Sequence, residues 1–436
     1  MYANLKGKKV FIYTLGCKVN LYESDAMYEI LLAEGCTGIK SESEDEINEP
    51  ADICIINTCS VTNIADRKSR QMISKMRKLN PNSIIAATGC YVQHASEELI
   101  KKGLVDLIIS NNRKKDCARI LSEYLEYGHV TDNFIDVNKD PEFEDLRVNM
   151  PETNTRAYIK IQDGCNAFCT YCIIPFVRGR IRSKSMVKII DEVEVLAQNG
   201  VKEIVLTGIN LSSYDDADEE AKLKDVICRI AKINGIERIR LSSLEPRVIT
   251  KDFLDTVSKI PEFCPHFHLS LQSACNNTLK RMNRHYTIEE FIEVTDLIRS
   301  YYDRPALTTD VIVGFPGETD EDFNTTVENL KRINFYEMHV FKYSRREGTV
   351  ADRMPDQIPE PVKKVRSEAL LEMTRENKKA FEESFKGEQV NVLIEEIVNI
   401  SGQSYYRGHT ERYLLVDIPC DKPDKSLINT TITTTL

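Results

Sequence analysis

The feature that most constrains the fold of this chain is an alternation of short apolar runs with amphipathic stretches, which fills residues 1–125. Four runs have the length and composition of strands: KVFIYTLG, ADICIINT, SIIAATG and VDLIIS. The stretches between them carry apolar residues at helical spacing, as in NLYESDAMYEILLAEG. Strands that alternate with helices form parallel sheets, so we predict that the first domain is an open parallel α/β sheet.

A second alternation starts at Ala157 and contains six strand-like runs: AYIKIQ, EIVLTGI, RIRLSS, HFHLSL, LTTDVIVG and EMHVFKYS. A complete barrel of this type has eight strands, so six strands predict a partial (β/α)6 barrel. After Gly387 the period changes to one typical of a small antiparallel β-barrel. We therefore expect an α/β multidomain protein. Its predicted segments are a first domain at 1–128, a linker at 129–150, a barrel at 151–372 and a β-module at 373–436.

Composition and cysteine content indicate the compartment. The chain has no apolar run of membrane-spanning length, and its N-terminus, MYANLKGKKVF, lacks the hydrophobic core of a secretory signal. We therefore expect a cytoplasmic protein with no membrane partner. Thirteen cysteines in a reducing compartment are poor candidates for disulfides. Those with special spacing are better tested as metal ligands or catalytic groups.

Three cysteines follow the first three predicted strands: Cys17, Cys59 and Cys90. The carboxyl ends of parallel strands meet at one edge, where ligands of open α/β sheets bind. The topology would thus gather thiols that are 42 and 31 positions apart. Cys54 falls inside a predicted strand, where a cysteine is commonly just a small buried hydrophobe.

A tighter group, Cys165, Cys169 and Cys172, lies in CNAFCTYC after the first predicted barrel strand. In a chain with 13 cysteines this spacing is expected by chance about 0.01 times. A structural zinc site is one interpretation, but it closes four ligands and no fourth ligand stands at knuckle spacing here. A four-iron cluster on three thiolates fits better, because one iron stays open to a cofactor or substrate.

This cysteine loop, with Tyr171 before its last cysteine, resembles the signature of radical S-adenosylmethionine (SAM) enzymes. The resemblance implies a 4Fe–4S cluster on the three cysteines, with S-adenosyl-L-methionine bound at the open iron. One electron cleaves the sulfonium bond, and the resulting 5′-deoxyadenosyl radical abstracts hydrogen. The cofactor carries this chemistry and the protein orients it.

Longer stretches narrow the resemblance to the methylthiotransferases of that superfamily. They are LGCKVN (15–20), INTCSVT (56–62), TGCYVQ (88–93), LTGINL (206–211), HLSLQS (268–273), DVIVGFPGET (310–319) and YSRREGT (343–349). The resemblance spans nearly the whole chain and implies that the C-terminal module is an RNA-binding TRAM domain. LGCKVN and CTYCIIP resemble most the bacterial branch that modifies N6-threonylcarbamoyladenosine beside the tRNA anticodon.

The family resemblance also implies a role for the strand-end cysteines. Cys17, Cys59 and Cys90 would hold an auxiliary 4Fe–4S cluster, on which sulfur is carried and methylated by one S-adenosyl-L-methionine. The radical made at the other cluster would activate carbon 2 of the adenine, which receives the methylthio group. We accordingly predict a transferase whose partners are the tRNA anticodon stem-loop, a low-potential electron donor and a sulfur source.

Polar residues at the ends of the second, third and fourth barrel strands are candidates for binding the cofactor. Related enzymes use a Gly-rich segment at the end of the second strand, where glycine permits close backbone approach. Single polar residues at strand ends are as often structural caps. Together with Tyr171, the candidates are Gly208, Asn210, Ser243, Glu245 and Gln272.

The charge pattern bears on RNA binding. The net charge is -10, but residues 65–80 hold six bases against one acid, and residues 178–184 hold four bases and no acid. Phosphate is met by local patches, although a charged run is often only a solvated face. The predicted RNA contacts are Arg178, Arg180, Arg182 and Lys184, with Arg407 and Arg412 in the C-terminal module.

Three other functions stay open at this point. Sister enzymes add a methylthio group to isopentenylated adenine in tRNA or to an aspartate of a ribosomal protein. A non-catalytic RNA-binding protein stabilised by metal would use the same cysteines structurally. Tests for S-adenosyl-L-methionine cleavage and for bound iron separate that last class from the enzymes, and tRNA nucleosides separate the substrates.

Overall fold

The computed structural model describes residues 2–42, 50–131, 134–140, 142–151 and 155–436. Residues 132, 133 and 141 of the predicted linker lie outside these ranges. The chain forms two compact units. The first combines Met1–Glu152, Tyr158–Lys184 and Ser344–Asp352, and the second combines Thr153–Ala157, Ser185–Tyr343 and Arg353–Leu436. These units differ from the consecutive segments expected from the sequence. No helix in the described ranges has both the length and the hydropathy that a bilayer span requires.

The first unit contains the expected parallel sheet. Its elements are β1 (Lys9–Thr14), α1 (Lys18–Ala33), β2 (Thr37–Ser41), β3 (Ile53–Thr58), α2 (Asn63–Leu79), β4 (Ile84–Gly89), α3 (Cys90–Lys101), β5 (Leu107–Ile108) and α4 (Cys117–Tyr127). The strands lie in the order β2, β1, β3, β4, β5, and every pair is parallel. The prediction of an open parallel sheet is confirmed. The sequence pattern does not reveal β2, because this edge strand is short, polar and largely exposed.

The two faces of this sheet bury different side chains, because successive residues of a strand point to opposite faces. Val10 and Ile12 of β1 pack with residues of α1 and α4, whereas Phe11 and Tyr13 pack with residues of α2 and α3. Cys54 is fully buried in the second of these layers, as expected for a cysteine that serves as a hydrophobe. Each large side chain buried in this way contributes about 1.5–3 kcal/mol.

The predicted cysteine loop follows β6 (Arg156–Asp163), whose residues from Tyr158 onward belong to the first unit. The short helix α5 (Ile174–Val177) comes next, and β7 (Arg182–Ser183) returns antiparallel to the end of β6. Because β6 and β7 pair, the backbone is fixed on both sides of the loop.

The second unit contains the other five predicted barrel strands. Its elements up to residue 342 are α6 (Met186–Gln198), β8 (Glu203–Gly208), β9 (Asp215–Asp216), β10 (Ala221–Lys222), α7 (Leu223–Ile230), β11 (Arg238–Leu241), α8 (Lys251–Val257), β12 (His266–Gln272), α9 (Asn276–Arg281), α10 (Ile288–Tyr301), β13 (Ala306–Val313), α11 (Asp320–Ile333) and β14 (Glu337–Lys342). β8 and β11 pair in parallel, as do β12, β13 and β14. Parallel bridges at Ile239 with Phe263 and at Leu244 with Leu269 connect the two groups.

The C-terminal part of the second unit is a long helix followed by an antiparallel sheet. The elements are α12 (Glu360–Glu383), β15 (Gln389–Ile400), β16 (Gln403–His409), β17 (Leu415–Cys420) and β18 (Thr431–Thr435). The strand order is β17, β16, β15, β18, with Val392, Ile394, Tyr406 and Val416 in the core. The antiparallel arrangement is as expected, but the boundary predicted between residues 372 and 373 falls inside α12.

Candidate metal centres

Cys17, Cys59 and Cys90, which we call the edge triad, lie at the carboxyl edge of the parallel sheet. Their strands β1, β3 and β4 are direct neighbours in that sheet. Cys17 stands immediately before α1, Cys59 directly follows β3 and Cys90 is the first residue of α3. Because the three strands end at the same edge, the fold gathers thiols that are far apart in the sequence.

The thiols of the edge triad are close enough to influence one another electrostatically. Burial, and to a smaller degree negative charge on Cys90 and Cys17, raises the pKa of Cys59 to about 12. Cys17 is exposed, yet protein surrounds it on enough sides that desolvation raises the pKa of its thiol, against the lowering effect of Arg178. A bound metal centre would reverse this preference, since coordination deprotonates a thiol.

Cys165, Cys169 and Cys172, which we call the loop triad, occupy the loop between β6 and α5. The Cys165 N–H donates to the carbonyl oxygen of Gly179 at 3.1 Å, and the Cys172 N–H donates to that of Cys169 at 3.0 Å. The Ala167 N–H donates to the Cys165 sulfur at 3.4 Å. These bonds close the loop into a compact turn and aim a donor at a sulfur, which stabilises a thiolate or a cluster ligand.

The donor chemistry of both triads fits an iron–sulfur cluster. Among the described residues, no three His, Cys, Asp or Glu side chains are grouped as the ligands of a single metal ion would be. A four-iron cluster is larger than one ion, so its thiolates stand further apart. Donor sets made only of sulfur favour zinc or iron–sulfur clusters, and three thiolates suit an open four-iron cluster better than a closed four-ligand zinc site.

A glycine in a left-handed conformation precedes a cysteine in each triad. Gly16 has φ +108°, and a Cβ built there would lie 2.9 Å from the Cys59 sulfur. Gly164 has φ +72°, and a Cβ there would lie 1.8 Å from the carbonyl oxygen of Arg180. Only glycine avoids both the backbone strain and the steric overlap at these two positions. In Gly16–Cys17 and in Gly164–Cys165, the glycine therefore allows the backbone turn that positions the thiol of the next residue.

Tyr171 is half-buried inside the loop triad's turn. The residue before it, Thr170, accepts a hydrogen bond through its carbonyl oxygen from the N–H of Ala351 at 2.8 Å. Ala351 lies just beyond the YSRREGT motif and belongs to the same unit. A segment nearly 180 residues away in the sequence thus braces this turn, while the cofactor contact of Tyr171 stays a prediction.

Arg346 fixes the turn after Cys59, a role that the sequence pattern does not reveal. Its side chain is buried and donates to Ser60 Oγ at 2.6 Å and to Asp66 Oδ2 at 2.7 Å. The neighbouring Arg345 is exposed. The sequence signal is two consecutive arginines in a family-like motif, and it does not distinguish the buried arginine from the exposed one.

A group of buried charges lies against Cys90. Arg178 is fully buried, and its Nε–H donates to the Cys90 sulfur at 3.2 Å. Its terminal nitrogens bind the fully buried carboxylate of Glu23. Burial alone would raise the pKa of Glu23, but Arg178 and two lysines hold that pKa well below its usual range. The lysines are Lys114 and Lys160.

The structure corrects the prediction that Arg178, Arg182 and Lys184 contact RNA. All three side chains are buried. Arg182 donates to the carbonyl oxygens of Arg178 and Asp140 at 2.6 and 3.2 Å, and Lys184 donates to that of Leu146 at 2.8 Å. A buried cation bound to protein oxygens presents no surface to a phosphate. Residues 178–184 hold four bases, but composition does not reveal which of these side chains point inward.

Arg180 is the exposed base of that run. Its guanidinium carbon lies 4.5 Å from the centroid of the Phe168 ring. Phe168 meets Phe176 edge-on, with centroids 6.3 Å apart, and the two residues are 38% and 52% exposed. We call Arg180, Phe168 and Phe176 the aromatic patch; it adjoins the loop triad because Phe168 lies inside the loop.

Arg407 in β16 and Arg412 in the connection between β16 and β17 are engaged within the protein. Arg407 binds Asp417 through two hydrogen bonds of 2.7 and 2.8 Å. Arg412 donates to the carbonyl oxygens of Arg304 and Asp303 at 3.0 Å each. Their contact with RNA stays a prediction, and it would require an exchange of these partners for phosphate.

Three predicted cofactor-binding residues lie at or near the ends of β8 and β12 in the second unit. Gly208 ends β8, and the carbonyl oxygen of Asn210 accepts from the N–H of Ser213 at 2.9 Å. Gln272 ends β12 with φ +70°. A side chain other than glycine is strained in that conformation, and such strain concentrates at functional sites.

Ser243 and Glu245 follow β11, and Ser243 is half-buried. The Glu245 carboxylate pairs with Arg284 at 2.9 Å, and the Glu245 N–H donates to the Ser212 hydroxyl at 2.7 Å. A structural cap makes contacts of this kind, so a cofactor role for these two residues stays a prediction.

Two family profiles match the chain. The radical SAM superfamily matches residues 159–330, and a family described as Uncharacterized protein family UPF0004 matches residues 9–110. The first match contains the loop triad and the second contains the edge triad. Each candidate metal centre therefore lies in a region of the chain that matches a different family profile.

Several relatives match over most of the chain. The threonylcarbamoyladenosine tRNA methylthiotransferase MtaB of Aquifex aeolicus is 38% identical, with 93% of this chain and 97% of the relative covered. MtaB of Bacillus subtilis is 35% identical, with 93% and 89% covered. The tRNA-2-methylthio-N(6)-dimethylallyladenosine synthase of Thermoanaerobacter pseudethanolicus is 38% identical, with 90% and 83% covered.

Solved structures show the same fold at low sequence identity. The radical SAM methyltransferase TsrM from Kitasatospora setae has a TM-score of 0.60 and 15% identity, with 79% of this chain and 77% of that chain covered. At this identity the likeness shows the fold alone. The three relatives are similar enough to bear on function, because their identities of 35% and 38% extend over at least 90% of this chain. The chain therefore belongs to the radical SAM methylthiotransferase family.

Proposed function

We propose that this enzyme adds a methylthio group to carbon 2 of N6-threonylcarbamoyladenosine next to the anticodon of tRNA. The observation that carries the proposal is the occurrence of two cysteine triads in the first unit, each presented by its own turn. One triad meets the requirement of radical chemistry, and sulfur insertion gives the second a purpose. The relatives from Aquifex aeolicus and Bacillus subtilis are named for this substrate.

The two triads would hold two clusters with different tasks. As a radical SAM enzyme, the protein uses S-adenosyl-L-methionine and a 4Fe–4S cluster, for which we propose the loop triad as ligands. We propose the edge triad as the ligands of a second 4Fe–4S cluster. When bound, these groups supply radical generation and sulfur carriage. A low-potential electron donor and a sulfur source complete the requirements.

The protein's own residues would orient these groups. Glycines at 16 and 164 set the turns, and Arg346 fixes the turn after Cys59. The strained backbone of Gln272 supports a contact with cofactor or substrate. The residues proposed to bind S-adenosyl-L-methionine are Tyr171, Gly208, Asn210, Ser243, Glu245 and Gln272.

The finer architecture is also part of the proposal. The six strands β6, β8, β11, β12, β13 and β14 suit a partial (β/α)6 barrel. All belong to strand–helix repeats, and the pairs β8–β11, β12–β13 and β13–β14 are parallel. The four-stranded antiparallel sheet suits a TRAM-like module for RNA.

Two exposed surfaces of the first unit support contact with the anticodon stem-loop. α2 presents exposed bases at Arg67, Lys68, Arg70 and Lys78, which suit backbone phosphates. The aromatic patch offers two rings and a guanidinium, which suit the unstacked bases of a loop. We propose these surfaces as RNA contacts in place of Arg178, Arg182 and Lys184, whose side chains are buried.

A reconstituted enzyme tests the choice of nucleoside. It is incubated with S-adenosyl-L-methionine, a sulfide source and a strong reductant, and with one of two stem-loops that carry either the threonylcarbamoyl or the isopentenyl group. Mass spectrometry of the nucleosides should show methylthiolation of the threonylcarbamoyl substrate. Conversion of the isopentenyl substrate alone would overturn the assignment.

Methylthiolation of the isopentenyl nucleoside is the second candidate function. It is favoured by the relative from Thermoanaerobacter pseudethanolicus, whose identity of 38% equals that of the relative from Aquifex aeolicus. Between these two relatives the coverage favours the first candidate, since 97% of the Aquifex protein but 83% of the Thermoanaerobacter protein is matched.

A further inference from the structure

One buried chain segment contacts both cysteine triads. Arg178 lies six positions beyond Cys172, directly after α5, and its Nε–H donates to the Cys90 sulfur at 3.2 Å. The next residue, Gly179, accepts the N–H of Cys165 through its carbonyl oxygen at 3.1 Å. Val177 and Ile173 also pack against Cys90. The segment that anchors the loop triad therefore also contacts a thiol of the edge triad.

The guanidinium of Arg178 is held in a fixed orientation. Its Nη2 donates to Glu23 Oε2 at 3.1 Å and to Asn20 Oδ1 at 2.6 Å, and its Nη1 donates to Glu23 Oε1. A planar guanidinium bound on that side by a carboxylate and an amide has its Nε–H direction determined. That donor points at the sulfur atom that would ligate iron.

The buried charges around Arg178 have an excess of positive charge, which a bound anionic group would compensate. Among the described residues, four buried cations share two buried carboxylates in one set of ion pairs. The cations are Lys114, Lys160, Arg178 and Arg182, and the carboxylates are Glu23 and Asp163. Glu144 is nearby, and the cations remain in excess even when it is counted as ionised. Buried charge of one sign is expensive unless it is compensated, and thiolates bound to a cluster would supply the missing negative charge.

We propose that Arg178 is a positioning residue for the auxiliary cluster, because its Nε–H donates to the Cys90 sulfur and raises the cluster's reduction potential. The proposal rests on the proposed function, since it requires a cluster on the edge triad. A donor at a ligand sulfur stabilises the more negative, reduced form of a cluster. In the measured step the cluster gains one electron from an added reductant, and no bond is broken.

A redox titration followed by electron paramagnetic resonance measures this effect. The parent is the full chain with Cys165, Cys169 and Cys172 replaced by Ala, so that the edge triad alone holds iron. We expect Arg178→Gln to lower the equilibrium constant for reduction about tenfold, which is about 59 mV for one electron. Arg178→Lys should give a smaller shift because the charge is kept. The matched control is Arg182→Gln, which removes a buried cation that does not contact Cys90.

Each result of the titration decides something. A loaded Arg178→Gln variant with the parent's potential would overturn the proposal, as would equal shifts in Arg178→Gln and Arg182→Gln, because charge alone would then explain them. A parent that binds no iron would instead overturn the proposed second cluster, and this proposal with it.

A second measurement does not depend on the folding of Arg178→Gln. The wild-type holoenzyme is labelled with 15N-arginine, reduced, and studied by pulsed electron paramagnetic resonance. We expect a 15N hyperfine coupling that disappears in Arg178→Lys. Absence of the coupling in the wild-type enzyme would overturn the hydrogen bond to the cluster ligand.

Discussion

Buried ion pairs matter at the scale of single residues, and Glu203 in the second unit shows how. Its fully buried carboxylate lies 2.6 Å from the Nε of Arg156 and 2.9 Å from that of Arg240. Burial alone would raise the pKa of Glu203, but the guanidinium of Arg240 and then that of Arg156 hold the pKa far below its usual value. Removal of this carboxylate would leave the buried Arg240 and the partly buried Arg156 without their shared partner.

Replacement of Glu203 by Gln should therefore lower the free energy of unfolding by about 3 kcal/mol at pH 7. The control is Glu237→Gln, which breaks a more exposed pair with Lys202 and should cost less than about 1 kcal/mol. Urea denaturation followed by circular dichroism measures both differences. Equal losses in the two variants would contradict the importance given to the buried pair.

The same variant has an expected pH dependence. Because the folded-state pKa of Glu203 is lowered, its stabilising contribution is fully present above the unfolded-state pKa of about 4.3 and is lost as the pH falls toward the folded-state value. The difference in stability between the parent and Glu203→Gln should thus shrink below about pH 4. A difference that widened in acid would show that the sign of the pKa shift is wrong.

At the scale of elements, the strand-to-thiol turns decide whether a triad can form. Gly16→Ala would place a methyl group against Cys59, so we expect it to remove about half of the bound iron while cleavage of S-adenosyl-L-methionine persists. Gly164→Ala should instead abolish cleavage. Gly103 is the control, because it has φ +63° and open space around its Cβ position, so Gly103→Ala introduces the strain without the clash. Iron analysis and cleavage assays measure these effects. Identical results for all three variants would contradict the role of Gly16 and Gly164 in positioning the triads.

The exposed face of α2 is the second element with a testable role. Replacement of Arg67, Lys68 and Lys78 by Ala should weaken binding of the anticodon stem-loop and reduce the slope of log affinity against log salt by about 2 to 3. The control replaces Lys364 and Lys379, which are exposed on α12 and each pair with a glutamate one turn further along the same helix. Fluorescence anisotropy over a salt series measures the slope. An unchanged slope in the α2 variant would exclude this face from the RNA contact.

Elements were more predictable from the sequence than the environments of individual side chains. Four of the five strands of the parallel sheet and all six barrel-type strands follow from apolar runs, and the adjacency of β1, β3 and β4 follows from parallel topology. The burial of Arg178 and Lys160 could not be predicted from the sequence. A local stretch shows which residues are charged, but it does not show that a distant carboxylate such as Glu23 will lie beside them in the fold. The edge strand β2 was missed because it buries little apolar surface.

At the scale of the whole molecule, the proposed reaction requires two separable metal centres. Cys59→Ala should remove about half of the iron and leave cleavage of S-adenosyl-L-methionine intact, whereas Cys169→Ala should remove a similar share of iron and abolish cleavage. Cys54→Ala is the control, because Cys54 lies in the hydrophobic core, inside β3 and not at its end. Loss of cleavage in Cys59→Ala as well would mean that the two sets of cysteines are wrongly divided.

A comparison of tRNA nucleosides from the source organism with and without this gene tests the proposed methylthiolation of N6-threonylcarbamoyladenosine most directly. Liquid chromatography and mass spectrometry of digested tRNA should show that 2-methylthio-N6-threonylcarbamoyladenosine disappears in the deletion strain, that its unmethylthiolated precursor accumulates, and that both return with the wild-type gene but not with Cys59→Ala. Persistence of the methylthiolated nucleoside in the deletion strain would contradict the proposed function.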